Sequence, residues 1–105
     1  MESPIVVVAT IVPKKAAWDE VVSILNATQA DVHSNESGCE LYALHTDDEC
    51  LVMVEKWTGR AELDQHFAAP PFNALGGLLE GKLAAEIEIK ELRPVPAGSP
   101  TQGQL

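Results

Sequence analysis

The chain has 105 residues, enough for one domain and too few for two ordinary cores. Its composition, 46% hydrophobic and 22% charged, is that of a globular protein. Sixteen acidic against seven basic residues give a net charge of −9, and the basic ones (Lys14, Lys15, Lys56, Arg60, Lys82, Lys90, Arg93) are scattered. That pattern argues against nucleic acid and against an anionic membrane as partners, because both are held by clustered Lys and Arg.

No apolar stretch is long enough to cross a bilayer. The opening apolar run follows Glu2 rather than a basic segment and has no small-residue cleavage site behind it. It therefore does not read as a signal peptide, and a cytoplasmic location is expected.

In chain order, Pro4 to Val12 is β-branched and strand-length, with Ile5, Val7, Ala9 and Ile11 on one face and Val6, Val8 and Val12 on the other. A helix is predicted from about Lys14 to Val32, because Trp18, Val21, Val22, Leu25, Thr28 and Val32 recur every three or four positions. Ser34 to Gly38 supplies the polar residues and glycine that stop it. Cys39 to Thr46 and Cys50 to Trp57 read as a hairpin around Asp47-Asp48-Glu49. Thr58 is the expected cap of a helix from about Arg60 to Ala68, Pro70-Pro71 is expected to break it, and Phe72 to Gly81 a further short helical piece. Leu83 to Leu92 is the last predicted strand, with Ala85, Ile87 and Ile89 on one face. Pro94 to Leu105 has a Pro, Gly and polar composition that cannot build a core. The domain is thus expected over 1–93, with a tail over 94–105.

The resulting order βαββαβ predicts an α+β, ferredoxin-like fold: an antiparallel sheet with both helices on one face. The first three strands are apolar on both faces, so the uncovered face needs a second apolar surface. A second copy of the chain is the simplest source, giving a homodimer. His33, His45 and His66 do not stand at metal-ligand spacings, and no metal site is expected. Cys39 and Cys50 are too far apart along the hairpin to bridge.

Three segments carry a resemblance. ESGCELYALH (Glu36 to His45), EKWTGRAELDQH (Glu55 to His66) and AAPPFNAL (Ala68 to Leu75) stand in order on the expected elements. Together with the opening strand and helix, they resemble the antibiotic biosynthesis monooxygenase family, members of the dimeric α+β barrel superfamily, over roughly residues 4 to 92. The resemblance implies oxidation of quinol-like or polycyclic aromatic substrates by O2 without a cofactor. In such chemistry the deprotonated substrate itself supplies the electrons. A haem-degrading relative in the superfamily uses Asn, Trp and His; Trp57 and His66 match two of these, and the first strand offers no Asn. Many relatives also carry a His just before the Phe at position 72, where this chain has Pro71.

His66 is the candidate catalytic residue, as base or as partner of the anion; the alternative is a histidine hydrogen-bonded at a helix end to hold the fold. Trp57, Tyr42 and Phe72 are candidate walls for a flat substrate and equally read as core. Glu55 interrupts an apolar strand, where burial would raise its pKa and suit it to proton transfer; an edge position with water access is the other reading. Two functions remain open at this level: a cofactor-independent monooxygenase, and a non-enzymatic dimer holding a small apolar molecule in the same pocket.

Overall fold

The computed structural model describes residues 3–105; Met1 and Glu2, at the head of the expected domain, lie outside the described residues. The elements are β1 (Ile5–Ile11), a 3-10 turn (Lys15–Ala17), α1 (Trp18–Asn35), β2 (Cys39–Thr46), β3 (Leu51–Trp57), α2 (Arg60–Ala68), α3 (Pro70–Leu78) and β4 (Glu88–Leu92). The strands form one sheet in the order β2-β3-β1-β4, antiparallel at every pairing. This is the ferredoxin-like α+β arrangement read from the sequence.

Strand alternation decides what faces the helices. Val7, Ala9 and Ile11 of β1 and Leu51, Met53 and Trp57 of β3 are buried, and they pack with Val21, Leu25 and Val32 of α1 and Leu63 of α2. The opposite sheet face carries Val6, Val8, Val52, Val54, Leu41 and Ala43, all only partly buried. Among the described residues no helix is long and apolar enough to cross a membrane. Both cysteines are free.

Four local expectations are corrected. Pro70 and Pro71 do not merely end α2: they occupy the first positions of α3, where a missing N–H costs nothing because that donor has no helical acceptor. The cap of α2 is Gly59, because the Thr58 hydroxyl is used elsewhere, donating to Gly38 O at 3.2 Å. The last strand is shorter than expected. Leu83 makes only an isolated bridge to Pro13, and regular pairing begins at Glu88, opposite Thr10. The first helix runs past Val32 to Asn35 and starts at Trp18, after the 3-10 turn.

The tail folds back on itself and reaches β3. Gly103 N–H donates to Ser99 O at 2.8 Å, and Lys56 Nζ donates to Leu105 O at 2.7 Å.

Candidate active site

The site is built where β2 and β3 meet α2. Antiparallel register sets Tyr42 opposite Glu55, so both side chains point to the helices. Glu55 replaces an apolar residue in the inward series Leu51, Met53, Glu55, Trp57 and is only 4% exposed. Its Oε1 accepts a hydrogen bond from Trp57 Nε1–H at 2.9 Å. Burial pushes the Glu55 carboxyl up to about 7, opposed by the Trp57 hydrogen bond and reinforced by the charge of Glu36. At neutral pH this group therefore both releases and takes up a proton readily.

His66, in the last turn of α2, is 1% exposed. Its ring stacks on Trp57 with centroids 4.4 Å apart and meets Tyr42 and Phe72 edge-on at 5.4 and 5.3 Å. Nδ1 lies 2.6 Å from Glu36 Oε1, and Nε2 lies 4.0 Å from Glu55 Oε1. Because the Glu36 carboxylate can only accept, the proton sits on Nδ1 and leaves Nε2 with a lone pair toward Glu55. Burial holds His66 below the ordinary imidazole value despite the pull of Glu36. The His66–Glu36 contact is therefore a charge-assisted hydrogen bond from a neutral ring, not an ion pair. Burial, then the charges of Glu55 and Glu36, push the Tyr42 hydroxyl far up, so it stays protonated.

A close backbone approach brings Glu36 here. Thr58 N–H donates to Gly38 O at 3.0 Å, pinning the loop after α1 to the start of α2. A Cβ on Gly38 would collide with the Glu62 side chain, so glycine is what allows that approach.

A cleft of about 340 Å3 lies between the sheet and α3. Its walls are Val7, Ala9, Ile11, Leu25, Met53, Phe67, Phe72, Leu75, Ile87 and Ile89, with Tyr42, Glu55 and Asn73 as its polar side chains. Most of its lining is apolar with a few converging polar groups, the usual form of a small-molecule site. The structure thus places three of the sequence-predicted residues, Tyr42, Glu55 and Phe72, on this wall. Trp57 and His66 stand one layer behind, and both instead line a smaller polar cleft of about 180 Å3, together with Glu36, Gly38, Glu62 and Gln65. The expectation of Trp57 as a wall beside Tyr42 and Phe72 is corrected: it lines the polar cleft with His66 instead. Glu55 lines the apolar cleft, whereas Trp57 is 0% exposed, consumed by packing and by its hydrogen bond.

Phe67, Asn73 and Glu36 belong to the site without having been singled out. Glu36 opens the ESGCELYALH segment, where it reads as part of a helix stop and of the family-like motif but not as a site residue. A larger groove of about 470 Å3 lies beside Arg60, Glu91 and Arg93, but Arg60 is already neutralised there by Glu91 at 2.7 Å.

Comparison with known proteins agrees with this architecture. Residues 4–76 match the family model described as antibiotic biosynthesis monooxygenase. An uncharacterized protein of Synechocystis sp. is 33% identical over 92 residues, which are 85% of this chain and 62% of that protein. The chain thus spans less than two thirds of that relative. Rv0793 of Mycobacterium tuberculosis has 26% identity and a TM-score of 0.84 over 92% of this chain and 100% of that one. A crystal structure named antibiotic biosynthesis monooxygenase has 26% identity and a TM-score of 0.80 over 88% of this chain and 99% of that one. The strand order, the motif positions and the family match agree: this chain belongs to the antibiotic biosynthesis monooxygenase family.

Proposed function

We propose that the protein is a cofactor-independent monooxygenase that oxidises a quinol-like or polycyclic phenolic substrate with O2, working as a cytoplasmic homodimer. The observation that carries this reading is Glu55: a carboxyl raised to about 7 on the wall of an otherwise apolar cleft. The family match and the monooxygenase name of a structural relative support the oxygenase class.

The chemistry is as follows. The ionised Glu55 takes a proton from the substrate hydroxyl or from the carbon activated by it. The resulting anion is electron-rich and reduces O2 directly; a carbon–oxygen bond forms and a peroxide results. Loss of water from the peroxide leaves one oxygen atom on the substrate. One O2 and two substrate hydrogens are consumed, and one water is released, so no outside reductant is required. Apolar walls exclude water from the anion and strengthen its interactions. Phe67 and Phe72 offer faces for a flat ring, and the protonated Tyr42 offers a hydrogen bond to a substrate oxygen.

The partly exposed valines of the outer sheet face support the dimer. Val8 pairs with Val54 at its centre, and leaving such a patch in water costs about 25 cal/mol per Å2.

The test is oxygen uptake with a panel of quinols, anthrones and related phenols, with flavin and metals removed. The proposal expects uptake of one O2 per substrate. Tight binding without turnover across the panel would instead support a non-enzymatic holding role.

A further inference from the structure

His66 separates two clefts that share no wall at Glu55. The apolar cleft is touched by Glu55 and not by Glu36; the polar cleft is touched by Glu36 and His66 and not by Glu55. Across the partition the polar atoms run in order: Glu55 Oε1, 4.0 Å to His66 Nε2, then from His66 Nδ1, 2.6 Å to Glu36 Oε1. Glu36 Oε2 is buried without a hydrogen-bond partner among the described residues, as is Glu62 Oε1 on the same cleft. A buried carboxylate oxygen left without a donor is costly and asks for an explanation. Glu36 thus has acceptor capacity that no donor among the described residues uses.

We infer that Glu36 is the outer member of a proton relay, Glu55–His66–Glu36, which carries the substrate's proton through the wall of the substrate cleft and opens on the polar cleft. This rests on Glu55 being the base. A proton left on Glu55 stands beside the new anion, in position to return to it. Passing it to His66 Nε2, while Nδ1–H moves to Glu36, parks it one layer away. Reversal returns it to the peroxide oxygen that leaves as water, so the balance of the reaction is unchanged. The 4.0 Å step closes by one bridging water or by rotation of the Glu55 carboxyl. Groups facing the relay are Tyr42 from β2, Glu55 and Trp57 from β3, and Glu62 from α2, with Glu36 from the loop after α1. Tyr42 stays protonated and Trp57 does not titrate, so neither of them carries the moving proton.

Glu36 is a positioning and relay residue, and the test separates these roles from simple support. Glu36→Gln keeps an acceptor for Nδ1–H but cannot take the proton. It is expected to lower kcat at least tenfold with KM unchanged. In Glu36→Ala, which vacates that acceptor position, added formate, small enough for the polar cleft, is expected to restore rate in proportion to its concentration, and Glu36→Asp to recover part of it unaided. If Glu36→Gln does not fold, Glu36→Ala with and without formate carries the same comparison. Parental kcat in Glu36→Gln, or a loss in Glu36→Ala that formate does not relieve, overturns the relay. Glu55→Gln on the same substrate keeps the two claims apart. An active Glu55→Gln sinks the base itself, whereas an inactive Glu55→Gln beside a parental Glu36→Gln sinks only the relay.

Discussion

His66 is shared by two carboxylates: its Nδ1 stands 2.6 Å from Glu36 Oε1 while its Nε2 stands 4.0 Å from Glu55 Oε1. The ring is thus locked in orientation, and its lone pair is directed at the one carboxyl that lines the apolar cleft. A neutral ring in this place costs less than a charged one, because burial outweighs the pull of Glu36.

Stability should carry the mark of Glu55. Its folded-state pKa, about 7, lies above its ordinary value of 4.5. Between these pH values the folded state holds the proton and the unfolded state has lost it, so stability falls as pH rises through the window and stays lowered above it. Glu55→Gln removes that penalty and keeps an acceptor for Trp57. It should raise Tm at pH 8 by several degrees, on the order of 1–3 kcal/mol, and the gain should vanish near pH 4.5. Thermal melts of both proteins across that range check it; a constant difference at all pH values would contradict it.

His66 should matter to the fold as well as to the chemistry. It packs against Trp57, Tyr42, Phe67 and Phe72, and its loss leaves Glu36 without a donor. His66→Ala should cost on the order of 3 kcal/mol, with a drop in denaturation midpoint at unchanged slope. Chemical unfolding followed by Trp fluorescence measures this.

Gly38 should tolerate no side chain. A Cβ there would collide with Glu62, and the backbone cannot move away because both the N–H and the hydroxyl of Thr58 hold its carbonyl. Gly38→Ala should destabilise by roughly 1–3 kcal/mol and displace Glu36 from His66. The displacement is readable as a changed chemical shift and pKa of the His66 ring by NMR.

The outer sheet face should carry the self-association. Val54 lies between Val8 and Ala43 in register, on the face away from the cleft. Val54→Glu places a charge in the proposed interface without touching Glu55. Sedimentation should give two chains for the parent and one for the variant. A parent that is monomeric at micromolar concentration would contradict the proposal.

Much of this was legible in the sequence because periodicity reports burial. The apolar run of β3 and the three-and-four spacing in α1 both follow from which side chains are covered, and Glu55 stood out by interrupting that apolar run. The length of β4 was not legible. Leu83 and Ala85 have strand-like neighbours, but only the chain path fixes where pairing with β1 begins. The layering of the site was hidden for the same reason. Trp57 and His66 are large residues at element ends, and sequence spacing cannot say whether such a residue faces a cleft or stands behind its wall. Glu36 was the least visible, because its role depends on a contact with His66 across thirty positions, made possible by Gly38.

The most direct test of Glu55 as the base is the pH dependence of kcat/KM for the parent and for Glu55→Gln, on a substrate found by oxygen uptake. The parent's rate should rise through an ionisation near 7 as Glu55 loses its proton. Glu55→Gln should fall by about 10²- to 10⁴-fold and lose that limb. A Glu55→Gln protein that keeps the parental rate and the same ionisation would contradict the account.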